Sequence, residues 1–236
     1  MGDKTSLKKR IRTLCIFIIL TFLCLIFAKY VLTHRNSSKD IHPAIAQMME
    51  TLNIYGCTLT SLADYDDIRV TIETPTITEE EYAGYIQTQH QEEDTDLTDD
   101  KLRHQLLEEK KIQCLMQARN KVMDTLLSHC RFSLKEESVA AYSKTIVHNY
   151  ETEAMLYDMD ISQYRQKILG YTKEQFYETC YKEGEEAIKT FLIIGAIAEK
   201  EFPDLAREPD SKNIYLQYQE IENAVYSYFI LTDKDF

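Results

Sequence analysis

The residues able to do chemistry are numerous in this sequence but do not fall into patterns. The six histidines are His34, His42, His90, His104, His129 and His148. No two of them have the spacing that places paired metal ligands on a helix or in a finger. Asp100 with His104, and His148 with Glu151, are each one helical turn apart, and chance surface neighbours account for such pairs. Asp94 and Asp96 form a D-x-D, but a calcium loop counted from Asp94 requires glycine at 99 and glutamate at 105. Asp99 and Gln105 stand there instead. No nucleophile elbow, zinc-protease, phosphate-loop or dinucleotide glycine pattern occurs. Cys15 and Cys24 lie in an apolar N-terminal stretch. Cys57, Cys114, Cys130 and Cys180 are scattered without C-x-x-C spacing, so disulfides and buried free thiols both remain open. Cys180, between Tyr177 and Tyr181, fits a core position better than a nucleophile. The expectation is no catalytic site, no metal and no cofactor.

Aromatic content is the unusual feature. There are 16 tyrosines and 9 phenylalanines but no tryptophan. Many lie between Tyr142 and Phe191. Helix packing with the phenol at the surface is the ordinary account of such a cluster. The functional account is a cradle of amphipathic rings, offering area and a hydrogen bond at low entropic cost. The positions expected to touch a polypeptide are Tyr142, Ile146, Tyr150, Phe176, Tyr177 and Tyr181.

Thr13–Ala28 contains no charge, and Tyr30–Leu32 extends it past Lys29, which can snorkel. Residues 13–33 are just long enough for a span. Five basic residues precede them, so 1–12 is expected to be a cytoplasmic tail and the bulk of the chain to lie outside. A cleaved signal peptide is the competing account. Residues 34–40 are a polar linker. Beyond residue 39, 19 basic residues face 38 acidic ones. Such a surface repels nucleic acid, which is excluded as a partner, and favours solubility.

Few prolines and glycines point to helices. Residues 41–54 carry a helical stripe ended by Gly56. Ile68–Thr74 alternates as a strand closed by Pro75. Thr78 with Glu81, Ser133 with Glu136, Asp160 with Gln163, and Thr172 with Gln175 have capping-box spacing, predicting helices from near 79, 134, 161 and 173. A long helix is expected from Thr98 to about Ser128. The helix over 173–201, stopped by Pro203, is nearly apolar all round in its second half and belongs in the core. Residues 223–232 fit helix or strand equally. The acidic run over 89–100 reads as a solvated turn.

Two stretches carry a resemblance. Leu62-Ala63-Asp64-Tyr65-Asp66-Asp67-Ile68-Arg69-Val70, then Pro75 and Thr78-Glu79-Glu80-Glu81, resemble the segment that opens the prolyl-isomerase domain of trigger-factor-like proteins. Residues 102–202, with Ala118–Val122, Leu126-Leu127 and Phe191–Ala198, are similar to the helical chaperone domain of that family. The resemblance implies a mainly α, SurA-like fold with a small β element over 41–236, and a bacterial, Gram-positive envelope. The isomerase domain has no room between Gln89 and Asp100, and the membrane anchor replaces the ribosome-docking domain. Isomerase activity and ribosome binding are therefore not expected.

The combined expectation is a membrane-anchored extracytoplasmic holdase that shields unfolded or extended polypeptide without isomerase activity. The alternative is an envelope assembly module that docks one folded partner. A metal- or disulfide-dependent enzyme ranks third.

Overall fold

The computed structural model describes residues 41–89, 98–205, 213–234 and 236. The predicted span at 13–33, its basic tail and the 34–40 linker lie outside the described residues, as does most of the acidic run. Among the described residues no helix is long and apolar enough to cross a membrane.

The architecture is mainly helical. The elements in order are α1 (Pro43–Thr51), β1 (Thr58–Ser61), β2 (Val70–Ile72), α2 (Glu79–Gln89), α3 (Asp99–His129), β3 (Arg131–Ser133), α4 (Glu136–Leu156), α5 (Ile161–Lys167), α6 (Lys173–Glu201), α7 (Ile214–Phe229) and β4 (Ile230–Thr232). Local chemistry sets most boundaries. Thr172 and Gln175 close a full capping box at the start of α6, and Thr78 and Glu81 do the same before α2. Asp160 accepts the Gln163 N–H to start α5. Each bond satisfies a backbone donor that the first helical turn leaves free.

Ser133 is a correction. It belongs to β3, opposite Thr58, and α4 begins at Glu136 behind Lys135 without a side-chain cap. Its backbone is extended in the ladder, so its hydroxyl does not cap the helix that begins three residues on. α1 also stops earlier than expected, with Asn53 rather than Gly56 making the first left-handed turn at φ 57°. The strand predicted over Ile68–Thr74 shortens to Val70–Ile72 and pairs in parallel with β4. The ambiguous 223–232 segment is both things in succession, helix to Phe229 and strand from Ile230.

α4 and α6 form an antiparallel hairpin. Tyr142 faces Phe191, Ser143 faces Gly184, and Tyr150 faces Phe176. The closest approach is at Gly184, where an added Cβ would stand 2.6 Å from Ser143 Oγ. The main core gathers around the apolar second half of α6. Ile188 and Leu192–Ile194 are fully enclosed there with Leu126 of α3, Ile45 of α1 and Ile221 and Phe229 of α7. α1 lies across α6, with the His42 N–H bonded to the Gly195 carbonyl at 3.0 Å. Two buried groups stand apart from this core. Tyr82 and Leu102 join α2 to α3. Ala154, Tyr164, Phe176 and Cys180 fill the far end of the α4–α6 hairpin.

Gly195 permits the α1 crossing, because an added Cβ would overlap Ile41 Cγ2 and press on Ile45. Gly195→Ala should therefore lower stability by about 1–3 kcal/mol through overpacking. Gly84→Ala, with nothing within 4 Å of the added carbon, should be neutral or stabilising by up to about 1 kcal/mol. Urea titrations of the purified chain, followed by circular dichroism, measure both. Equal effects at the two sites would refute the α1 docking.

Candidate functional site

The six sequence-predicted residues do not form one surface. Tyr142 is half-buried at the root of the hairpin, edge-on to Phe191 at 5.9 Å, on the side facing α7. Tyr181 is half-buried on the other side, lining a cleft with Phe132, Leu134 and Val139. Ile146 is half-buried between root and tip. Tyr150, Phe176 and Tyr177 do come together near the tip, with ring centroids 5.5 Å and 5.4 Å apart along the series. Phe176, however, is only 1% exposed. It is interior packing of the folded arm, and only Tyr177 of the three is well exposed.

The exposed apolar surface lies just beyond them. Half of the twelve large apolar side chains exposed among the described residues fall in one short stretch: Met155, Leu156, Tyr157, Ile168, Tyr171 and Tyr177. Leu156 is 81% and Met155 69% exposed. They ring the end of the hairpin, where α4 stops, α5 crosses and α6 begins. Scattered exposed apolar residues are normal on any protein, but a contiguous cluster marks an interaction surface. Sequence reading missed Met155, Leu156 and Ile168, and counted Tyr157 and Tyr171 in the aromatic cluster without choosing them as contact positions. Apolar residues at a helix end look like core in a periodicity pattern, and they stand bare here because no third layer lies beyond α5 among the described residues.

Two phenol–carboxylate bonds hold this end together. Tyr164 donates to Glu153 at 2.7 Å and Tyr150 to Glu183 at 3.2 Å. The bond to Glu153 and then burial push the Tyr164 phenol up to about 12. Burial first, then the Glu183 charge, push Tyr150 up to about 12. Burial and Glu183 also raise the Cys180 thiol to about 11, which leaves it protonated and inert near neutrality. Cys57, Cys114, Cys130 and Cys180 are all free thiols. Among the described residues no three histidines, cysteines or acids converge as metal ligands would. His148 and Glu151 do meet, at 3.3 Å, on an exposed face of α4. Asp100 and His104 are both exposed on α3.

A helical hairpin arm with a bare apolar tip, rooted in a compact core, is an architecture for holding polypeptide. The comparison of sequences agrees. The family described as "Bacterial trigger factor protein (TF) C-terminus" matches residues 96–223, from just ahead of α3 into α7 and just over half of the chain. The protein belongs to that family, so its helical domain is of the chaperone type and suited to polypeptide binding. No curated protein and no solved structure matches the chain.

The two raised phenols give a pH signature. A group whose folded pKa lies above its unfolded value contributes stability below the unfolded pKa, and that contribution fades as pH rises toward the folded value. For Tyr150 and Tyr164 the unfolded value is 10.0 and the folded value about 12. The arm tip should therefore loosen between pH 10 and 12. Near-ultraviolet circular dichroism should change in that window, and Tyr150→Phe with Tyr164→Phe together should flatten the change.

Proposed function

We propose that this chain is a membrane-anchored, extracytoplasmic holdase whose arm tip shields apolar segments of unfolded polypeptide. The observation that carries the proposal is the cluster of Met155, Leu156, Tyr157, Ile168, Tyr171 and Tyr177, solvent-exposed at the end of a rigid hairpin. Membership of the trigger-factor C-terminal family supports the polypeptide as ligand. Met and Tyr suit a tolerant site. Met is flexible and polarisable, and Tyr contributes area together with a polar handle.

The mechanism is passive. Clients dock by apolar contact, and the acidic excess beyond residue 39 keeps the loaded complex in solution. Release follows from weak, fast-exchanging contacts, because a few apolar side chains at a tip bury far less area than a stable interface needs. The charge-free stretch over 13–28, with five basic residues ahead of it, supports an anchor with its N-terminus in the cytoplasm. The helical domain would then act on chains emerging on the far side.

The intact protein in detergent micelles should suppress aggregation of two unrelated refolding proteins at stoichiometric amounts, in low and in moderate salt. Replacing Met155 and Leu156 together by serine should raise the amount required about tenfold or more, with unchanged circular dichroism. Suppression of neither protein would turn the assignment to an assembly module with one dedicated partner. For topology, protease added outside intact spheroplasts should digest residues 41–236. Protection of that domain would overturn the orientation.

A further inference from the structure

The end of the arm contains a pocket that the chain fills with its own side chain. α5 has seven residues, too few to be stable as a helix by itself. It hangs between two turns with left-handed backbone, Asp158 at φ 52° and Gly170 at φ 70°. Five of its near neighbours, Ser162, Gln163, Gln166, Lys167 and Ile168, point into solvent. Tyr164 alone is 2% exposed. Its ring lies 5.6 Å from that of Tyr157 and its hydroxyl donates to Glu153 at 2.7 Å. Further along the same hairpin Tyr150 stands edge-on to Phe176. Ile161, Arg165 and Leu169 are half-buried, and Tyr164 is the one fully buried side chain that α5 sets into the hairpin.

Resting on the arm-tip reading above, we propose that Tyr164 is a displaceable plug. A tyrosine ring of an extended client takes its place between α4 and α6, while α5 swings away on the turns at Asp158 and Gly170. The occupant's chemistry is given by the resident. A ring is needed to pack on Tyr157, and a hydroxyl is needed to reach the carboxylate of Glu153. Exchange leaves the rest of the fold standing, because Ala154, Tyr164, Phe176 and Cys180 are buried outside the contiguous main core. The rim of the pocket is the apolar ring that a client meets first: Met155, Leu156, Tyr157 and Ile168. A tethered plug competes at an effective concentration in the millimolar range, on the order set by short linkers. Its presence lowers apparent client affinity by the fraction of time the pocket is open. This explains how the same tip can bind clients and still let them go.

The test is a binding titration of the full-length protein in detergent micelles. The probe is a short unstructured peptide with a single tyrosine, and the control is the same peptide with alanine there. Tyr164→Ala should tighten the tyrosine peptide about tenfold or more and leave the alanine peptide unchanged. Tyr164→Phe keeps the ring and the packing but loses the Glu153 bond, so it should show a smaller gain in the same direction. Peptide mapping after alkylation gives the second readout. Cys180 should react faster in both variants, while Cys57 and Cys130, in the main core, should keep their slow rates.

Unchanged or weaker tyrosine-peptide binding in both variants would overturn the plug, as would an equal gain for the alanine peptide. A double serine variant at Met155 and Leu156, which leaves Tyr157 in place, separates the two readings. Binding lost at the rim but indifferent to Tyr164 would remove the plug and leave the tip. Binding indifferent to the rim would remove both.

Discussion

The second half of α6, residues 187–198, carries apolar side chains around nearly its whole circumference, and the rest of the fold answers that constraint. A helix of this kind must be enclosed on every side. α3, α4 and α7 supply three sides, and α1 closes the fourth by crossing at Gly195. The strands β1 and β3 finish the wall beside α4. The first half of the same helix is different in kind. Phe176 and Cys180 are buried against α4 and α5, while Tyr177 stays exposed and Tyr181 turns toward Phe132 and Leu134. A 29-residue helix, about 43 Å long, therefore has one end fixed in a core and the other carried outward.

The bare tip follows from this division. Among the described residues, α1, α3, α4 and α7 are taken up in enclosing 187–198 and α2 lies against α3, so none of them covers α5 and the helix ends beside it. A small separate core of Ala154, Tyr164, Phe176 and Cys180 is enough to keep the hairpin shut. It is too small to bury Met155 and Leu156 as well. Exposure there is thus a consequence of the topology. A substitution of those residues should change binding without touching the core that sets overall stability, because the two share no packing.

Much of the fold was legible in the sequence. The limits of α3 and α6 fell within a residue or two of Thr98–Ser128 and 173–201, because long periodic stripes with caps at their ends leave little choice. Local signals failed where a distant partner decided the outcome. Ser133 has the spacing of a cap but is claimed by Thr58 across a ladder. The β4 strand is three residues of a longer apolar run and becomes a strand only because β2 lies beside it. The candidate site was less legible. A buried ring and an exposed one look the same in a periodicity pattern. Phe176 and Tyr177 are adjacent in sequence yet stand at 1% and 49% exposure.

The abundance of tyrosine has a physical account beyond client contact. Acidic residues outnumber basic ones by two to one beyond residue 39, so many carboxylates can find no cation. A phenol is a neutral donor that offers a hydrogen bond without adding charge, and it brings a ring to pack. The structure uses this repeatedly, even where, as at Asp99 and Glu201, a cation also reaches the carboxylate. Tyr65 donates to Glu201, Tyr82 to Asp99, Tyr85 to Glu109, Tyr150 to Glu183, Tyr164 to Glu153 and Tyr218 to Glu222. Each of these six tyrosines holds a carboxylate with its hydroxyl and lays its ring on the fold. Tryptophan offers one donor on a larger, stiffer frame, and phenylalanine offers none. An acidic surface and a tyrosine-rich interior are thus two halves of one solution. Loading a tyrosine-bearing client would reuse, between molecules, the bond that the chain already makes within itself.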